Sequence, residues 1–183
     1  TAVLQAIADS VSVINLSLGM TRIDENLDEA LRIARQANIP IVASAGNDST
    51  SLNSIFPFPA SRTYAVAVAA LDSIGRKADF SNYGTRVDLC APGTRIYSAF
   101  ADSLYAWWDG TSFAAPFVTG VIALVRGVNP TLTTVQIDTL LTYSSTNIDS
   151  LNPGLEGLLG AGLINPRKAI EYARLTAPGD VTA

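Results

Sequence analysis

The sequence predicts an α/β domain built on a mainly parallel sheet, and its order of apolar segments supports this. Residues 11–16 are rich in β-branched side chains, residues 23–37 have apolar side chains on one helical face, and residues 39–44 form a second short apolar run. Strand, helix and strand in succession make a βαβ unit, whose strands lie parallel. Residues 64–71 are almost continuously apolar, as expected of a strand buried on both faces at the sheet centre.

Further elements are predicted on both sides of this unit. Residues 1–9 have helical apolar spacing with no capping residue before them, so the chain looks as if it begins inside or just before a helix. Shorter strands are predicted at residues 87–90, 95–99 and 105–108, and the last of these is aromatic enough for a hairpin strand.

The strongest helix prediction covers residues 111–128, which are apolar nearly all round, with Pro116 in the opening turns. A helix of this composition must be central. Two surface helices, at residues 133–143 and 166–175, complete a single domain over residues 1–175. Residues 176–183 are predicted to be a flexible tail or linker.

Composition excludes several classes of function. The 183 residues are 48% apolar and 15% charged, which describes one compact globular unit. A net charge of -4 provides no basic surface for nucleic acid or an anionic membrane, and the apolar runs fall short of the roughly 20 residues that span a bilayer. Cys90 is the only cysteine, so disulfides and multi-cysteine zinc sites are excluded, and we expect it to be buried. The chain has no histidine, the usual base that activates a serine hydroxyl.

Ser112 is the first candidate for chemistry. It follows Gly110 and Thr111 and precedes the long apolar helix, so its hydroxyl is predicted to lie at a helix N-terminus. Unpaired backbone N–H groups and the positive end of the helix dipole stabilise an oxyanion there. The alternative is that Thr111 or Ser112 simply caps the helix, and this segment alone does not decide between the two.

Asn47 is the second candidate. It follows Gly46 at the C-terminal end of a predicted buried strand, where ligand sites of parallel sheets lie. Its amide could supply one donor of an oxyanion hole. Taken alone, the segment is also compatible with a turn-forming asparagine.

Five segments, in order along the chain, resemble the subtilase family and in particular its subtilisin-like branch. They are Val-Ile-Asn-Leu-Ser-Leu-Gly at 13–19, Ala-Gly-Asn at 45–47, Ala-Asp-Phe-Ser-Asn-Tyr-Gly at 78–84, Leu-Cys-Ala-Pro-Gly at 89–93 and Gly-Thr-Ser-Phe-Ala-Ala-Pro at 110–116. The resemblance implies a subtilisin-like three-layer fold, with helices flanking the sheet and the N-terminal part missing. It also implies a serine endopeptidase that acts on polypeptides without a cofactor.

The same resemblance implies roles for individual residues. Ser112 would be the nucleophile that forms an acyl-enzyme, and its backbone N–H and Asn47 would form the oxyanion hole. The Phe58–Pro59 peptide bond is predicted to be cis. The implied substrate-binding residues, which would pair with extended peptide or line the pocket for the residue before the cleaved bond, are Ser17, Leu18, Gly19, Ser44, Ala45, Gly46, Phe58, Gly110 and Thr111. The segments implied to line that pocket are residues 44–47 and 56–60.

The sequence departs from the family in its catalytic triad, because subtilisins carry the acid and the base N-terminal to the region matched here. Asp72, Asp79 and Asp109 lie outside the family's catalytic-aspartate motif, and we expect them in loops or caps. Phe117 stands where better-known members often have histidine, so it supplies no substitute base. The isolated chain is therefore predicted to be nearly inert.

Two other family features were weighed. Sedolisin-like enzymes use carboxylates in place of histidine, but their oxyanion donor is aspartate, so Asn47 favours the subtilisin branch. Family members often bind calcium. Arg62 and Arg86 lie near positions that gather oxygen ligands in such members, so no metal is predicted.

The alternative class is a noncatalytic protein, either a pseudoprotease that binds peptides or an isolated folding fragment. The missing segment could also come from a second chain and complete the site in trans. Many relatives are secreted, so an extracellular location is expected by family habit.

Overall fold

The structure is a computed structural model that describes residues 2–176. Its regular elements, in chain order, are α1 (Ala2–Ala8), β1 (Ile14–Leu16), α2 (Glu25–Gln36), β2 (Ile41–Ser44), β3 (Ala65–Leu71), β4 (Leu89–Pro92), β5 (Ile96–Ala99), β6 (Tyr105–Trp108), α3 (Thr111–Val128), α4 (Thr134–Ser144) and α5 (Pro166–Leu175). The predicted tail lies outside the described residues, apart from Thr176.

Four parallel strands form the central sheet, in the order β1-β2-β3-β4. Ile14 pairs with Ile41, Ile41 with Ala65, and Val68 with Leu89. Every residue of β2 and β3 is buried, which agrees with their continuous apolar sequences. The predicted mainly parallel α/β fold is confirmed, and β5 and β6 form a separate antiparallel hairpin.

Helices cover both faces of the sheet, because successive side chains of a strand point to opposite sides. Val42, Val66 and Val68 pack in one core cluster with α3. Ile41 and Ala65 pack in the other with α2. The result is the expected three-layer arrangement, in which α4 and α5 lie on the side of α3.

Local sequence explains where the outer helices begin. The side chain of Asp24 accepts a hydrogen bond from Leu27 N at 2.9 Å and caps α2. Thr133 and Gln136 form a capping box at α4. Asn165 caps α5, and the proline that follows occupies the first helical turn.

Helix α3 contacts all four strands and α5. Its 18 residues have a mean hydropathy of 1.5, so by length and composition alone it could cross a membrane. The sequence analysis, which considered only uninterrupted apolar runs, did not indicate such a helix. The packing accounts for much of this composition, since Ala114, Val118, Ile122 and Val125 are fully buried between the sheet and the other helices. The central helix prediction is therefore confirmed.

Candidate active site

Ser112 lies in the first turn of α3, at the carboxyl-end side of the sheet. Its hydroxyl donates to the carbonyl oxygen of Ser17 at 3.3 Å, and the Ser17 hydroxyl donates to the carbonyl oxygen of Ser112 at 2.7 Å. The N-cap residue is Gly110, which has no side chain, so neither Thr111 nor Ser112 caps the helix. The simple capping interpretation is wrong, and the Ser112 N–H is one of the first-turn groups without an intrahelical acceptor.

Thr111 connects this helix to the segment that holds Asn47. The Asn47 side-chain oxygen accepts hydrogen bonds from the Thr111 N–H at 2.9 Å and from its hydroxyl at 2.8 Å. The same hydroxyl accepts from Gly46 N at 3.1 Å. A backbone N–H can donate only to the oxygen of an amide, so these bonds fix which end of the Asn47 amide faces α3 and leave its NH₂ group to face outward.

The two predicted oxyanion donors both lie near Gly110. A Cβ atom built on Gly110 would lie 3.5 Å from Asn47 Nδ2, 3.6 Å from Ser112 N and 3.5 Å from the Phe113 ring. These are ordinary van der Waals distances, so both nitrogens lie within one contact of the same backbone position.

A cleft of about 870 Å³ opens next to Ser112. Most of the predicted site residues line it, namely Ser17, Leu18, Gly19, Ser44, Gly46, Asn47, Thr111 and Ser112.

Three predicted substrate-binding residues do not line the cleft. Ala45 is fully buried just after β2, and Gly110 is buried at the N-cap of α3. Phe58 is also fully buried, in the core cluster that includes α2. Its backbone pairs with Met20 on the adjoining segment, and Phe58 N donates to Met20 O at 2.9 Å. The predicted Phe58–Pro59 cis peptide is present.

Residues 56–60 were expected to line the pocket, and of these Phe56 and Pro57 line the cleft. Met20 and Thr21 also line it and were not predicted. Phe56 is 64% exposed. The sequence signal was the repeated Phe-Pro pair at 56–59, which predicted a turning segment but not which of the two aromatic rings faces outward.

The described residues that line the cleft include a single titratable group, Asp48. Its carboxylate lies 3.3 Å from the amide nitrogen of Asn82 and is not hydrogen-bonded to Ser112. Asp72 accepts from Ile74 N and Arg76 N within its own turn, and Asp109 accepts from Arg95 N. Within residues 2–176, the Ser112 hydroxyl donates to the Ser17 carbonyl and is not hydrogen-bonded to a carboxylate.

Comparison with known proteins identifies the family of this arrangement. Residues 1–162 match the sequence profile described as the subtilase family. The chain belongs to the subtilase family. The matched range contains all five segments that resemble the family.

Individual subtilases match over most of this chain. Subtilisin BL of Lederbergia lenta is 37% identical over 161 residues, which cover 88% of this chain and 57% of that protein. An "Extracellular protease" of Xanthomonas campestris pv. campestris is 36% identical over 179 residues, which cover 93% of this chain and 30% of that protein.

The fold is also similar to solved subtilase structures. The prenylagaramide maturation protease PagA has a TM-score of 0.80 and 29% identity over 94% of this chain and 65% of its own. The chain thus spans about half the length of subtilisin BL and less than two thirds of PagA, and at least one third of each has no counterpart in it.

Proposed function

We propose that this chain is the nucleophile-bearing part of a serine endopeptidase domain, with Ser112 as nucleophile and Asn47 as an oxyanion donor. The observation that carries the proposal is the proximity of Asn47 Nδ2 and Ser112 N, which would both contact a Cβ atom at Gly110. Paired donors of this kind stabilise a tetrahedral oxyanion, and loss of one typically costs about 3 kcal/mol of transition-state stabilisation.

In the proposed reaction, Ser112 Oγ attacks the carbonyl carbon of a peptide bond and its proton passes to a base. The carbonyl oxygen becomes an oxyanion between the two nitrogens. The C–N bond then breaks, the leaving amine takes the proton from the base, and the acyl group stays on Ser112 until water hydrolyses it. The cleft beside Ser112 would hold the peptide before the cleaved bond, with Ser17, Leu18 and Gly19 along one wall.

This chain alone lacks the base, and we propose that it is inactive by itself. The sequence contains no histidine, and the Ser112 hydroxyl donates to a backbone carbonyl, which cannot remove its proton. The acid and base would come from the part of the subtilase domain that this chain does not span, in the same polypeptide or from a second chain.

Two features support a partner surface for that missing part. Strand β1 pairs with β2 only, so its other edge has free backbone groups within residues 2–176. Next to it, α3 exposes Phe117 and Leu124, which are 44% and 53% accessible. A strand and an apolar helix face docked there would lie beside α3, whose first turn contains Ser112.

The test is fluorophosphonate labelling of Ser112, detected by mass spectrometry. The chain is compared alone and after fusion to, or coexpression with, the N-terminal part of a subtilase domain, and Ser112→Ala serves as control. We expect labelling only in the completed protein, and none in the Ser112→Ala variant. Labelling of the chain alone would refute its inactivity, and absence of labelling in a folded completed domain would refute the protease proposal.

The second candidate is a noncatalytic peptide-binding module, and the cleft beside Ser112 is the observation that supports it. Such a module would bind extended peptides without cleaving them in any combination of chains. Peptide binding by the completed domain, measured by fluorescence anisotropy, together with intact peptide after long incubation, would select this function over proteolysis.

We also propose an extracellular location for the whole protein. The support is indirect, because it comes from the family and from the extracellular protease of Xanthomonas campestris. Detection of the full-length protein in culture medium or in cell lysate would test it.

A further inference from the structure

A fully buried asparagine, Asn82, contacts residues 45–50 from outside the cleft. Its side-chain oxygen accepts from Asp48 N and Thr50 N, both at 3.0 Å. Its side-chain nitrogen donates to Ala45 O at 2.9 Å and to the Asp48 carboxylate at 3.3 Å. One amide therefore uses both its donors and its acceptor on residues 45–50, which we call the oxyanion segment.

These bonds hold backbone groups immediately before and after Asn47 along the chain. Ala45 O precedes Asn47 and Asp48 N follows it, and Asn82 N also donates to Gly46 O at 3.0 Å. A Cβ atom at Gly46 would collide with the Asn82 amide nitrogen, so the backbone here approaches Asn82 as closely as only glycine permits.

The turn that carries Asn82 is itself anchored to the sheet. Ala78 N donates to Ala70 O in β3 at 2.9 Å, and Ala70 N donates to the Ser81 hydroxyl at 2.9 Å. The Lys77 ammonium donates to three backbone carbonyls of the turn, those of Ala78 at 2.8 Å, Ser81 at 3.1 Å and Asp79 at 3.2 Å. Asn82 is therefore fixed relative to the core strand β3.

We propose that Asn82 is a positioning residue that holds Asn47 in place against the N-terminus of α3. The catalytic consequence rests on the proposed function, since an oxyanion donor contributes most when its position is set before the reaction. The placement of Asn47 itself does not depend on that function.

The direct test is amide hydrogen exchange, followed by NMR in the Asn82→Ala variant. The informative amide is that of Thr111, because its acceptor is the Asn47 side-chain oxygen. The Val68 amide in the core strand reports the loss of global stability, and we expect Thr111 exchange to accelerate at least about tenfold more than Val68 exchange. Asp48 and Thr50 amides should also accelerate, because they lose their acceptor.

The result that would overturn the proposal is faster exchange at Asp48 and Thr50 with an unchanged rate at Thr111, since Asn82 would then hold only its own turn. Asn53→Ala is the matched control. Asn53 also accepts two hydrogen bonds in a neighbouring turn, both from Thr85, and its loss should leave Thr111 unaffected.

If Asn82→Ala does not fold, Asn82→Leu fills a similar volume and places no charge beside the Asp48 carboxylate. It cannot donate to Ala45 O, so the Thr111 amide should still accelerate, and an unchanged rate there would refute the proposal.

The kinetic test uses the completed domain. Asn82→Ala should lower kcat by about tenfold and leave KM within about twofold, because the oxyanion exists only in the transition state. A rise in KM with unchanged kcat would refute a positioning role for the oxyanion donor. If the completed domain shows no hydrolysis but Thr111 exchange accelerates, the protease proposal fails and the positioning of Asn47 by Asn82 stands.

Discussion

Exchanging the two phenylalanines of the Phe-Pro-Phe-Pro segment for alanine should separate folding from substrate binding. Phe58 is fully buried, and Phe56 is 64% exposed on the cleft wall. The two variants remove the same atoms two positions apart. Phe56→Ala is therefore a matched control for Phe58→Ala.

The magnitude for Phe58→Ala follows from its burial. Removing a fully buried phenyl ring loses its transfer free energy and leaves a cavity, which together cost about 3–5 kcal/mol. The Arg62 guanidinium lies 5.7 Å from the centroid of the Phe58 ring, and loss of this cation–π contact adds about 0.5–1 kcal/mol to the destabilisation by Phe58→Ala. The backbone pair with Met20 does not involve the ring, so it should persist. Phe56→Ala should change the free energy of unfolding by no more than about 0.5 kcal/mol.

Urea denaturation followed by circular dichroism measures both free energies of unfolding, and peptide hydrolysis by the completed domain measures the cleft. We expect Phe58→Ala to lower the urea midpoint steeply and Phe56→Ala to leave it unchanged but raise KM. A destabilising Phe56→Ala and a neutral Phe58→Ala would show that the ring assignments are reversed, and with them the assignment of the pocket wall.

Two further predictions concern the core and the connection between the site segments. Cys90 is fully buried, and burial raises the pKa of its thiol to about 12. Ellman's reagent should therefore react slowly with the native chain from pH 7 to 9 and completely with the chain unfolded in urea. Fast labelling of the native chain would contradict this. Thr111→Val leaves Gly46 N without its acceptor, so the free energy of unfolding should fall by about 1–3 kcal/mol in urea titrations, whereas Thr111→Ser, which keeps the hydroxyl, should cost much less.

The elements that the sequence predicted well are those whose signal is local and strong. The apolar residues of β3 and α3 extend over seven and 18 residues, and both elements form as expected. Boundaries were less certain, because turn bonds take backbone groups away from strands. Residue 11 was expected in the first strand, but Val11 N donates to Ala6 O, so that residue closes α1 and β1 begins at Ile14.

The sequence nominates candidates where a motif contains the chemical groups, as it does for Ser112 and Asn47. It does not nominate residues whose proposed role depends on distant contacts. Asn82 lies in one of the quoted motifs, but its partners are more than 30 positions earlier in the chain, and no local pattern indicates them. Phe58 was assigned to the pocket because a proline-rich turn does not reveal which side of the backbone faces the core.

The ammonium of Lys77, held by three carbonyls, gives the turn behind the active site a cation that is covalently part of the chain. A chelator cannot extract it and competing ions cannot exchange with it, so chelators and metal salts should leave this turn unchanged. The same arrangement creates a vulnerability to alkali, because burial lowers the pKa of this lysine. As the pH rises through that lowered pKa, the ammonium loses a proton and its charge, and the three carbonyls lose the positive group that holds them together.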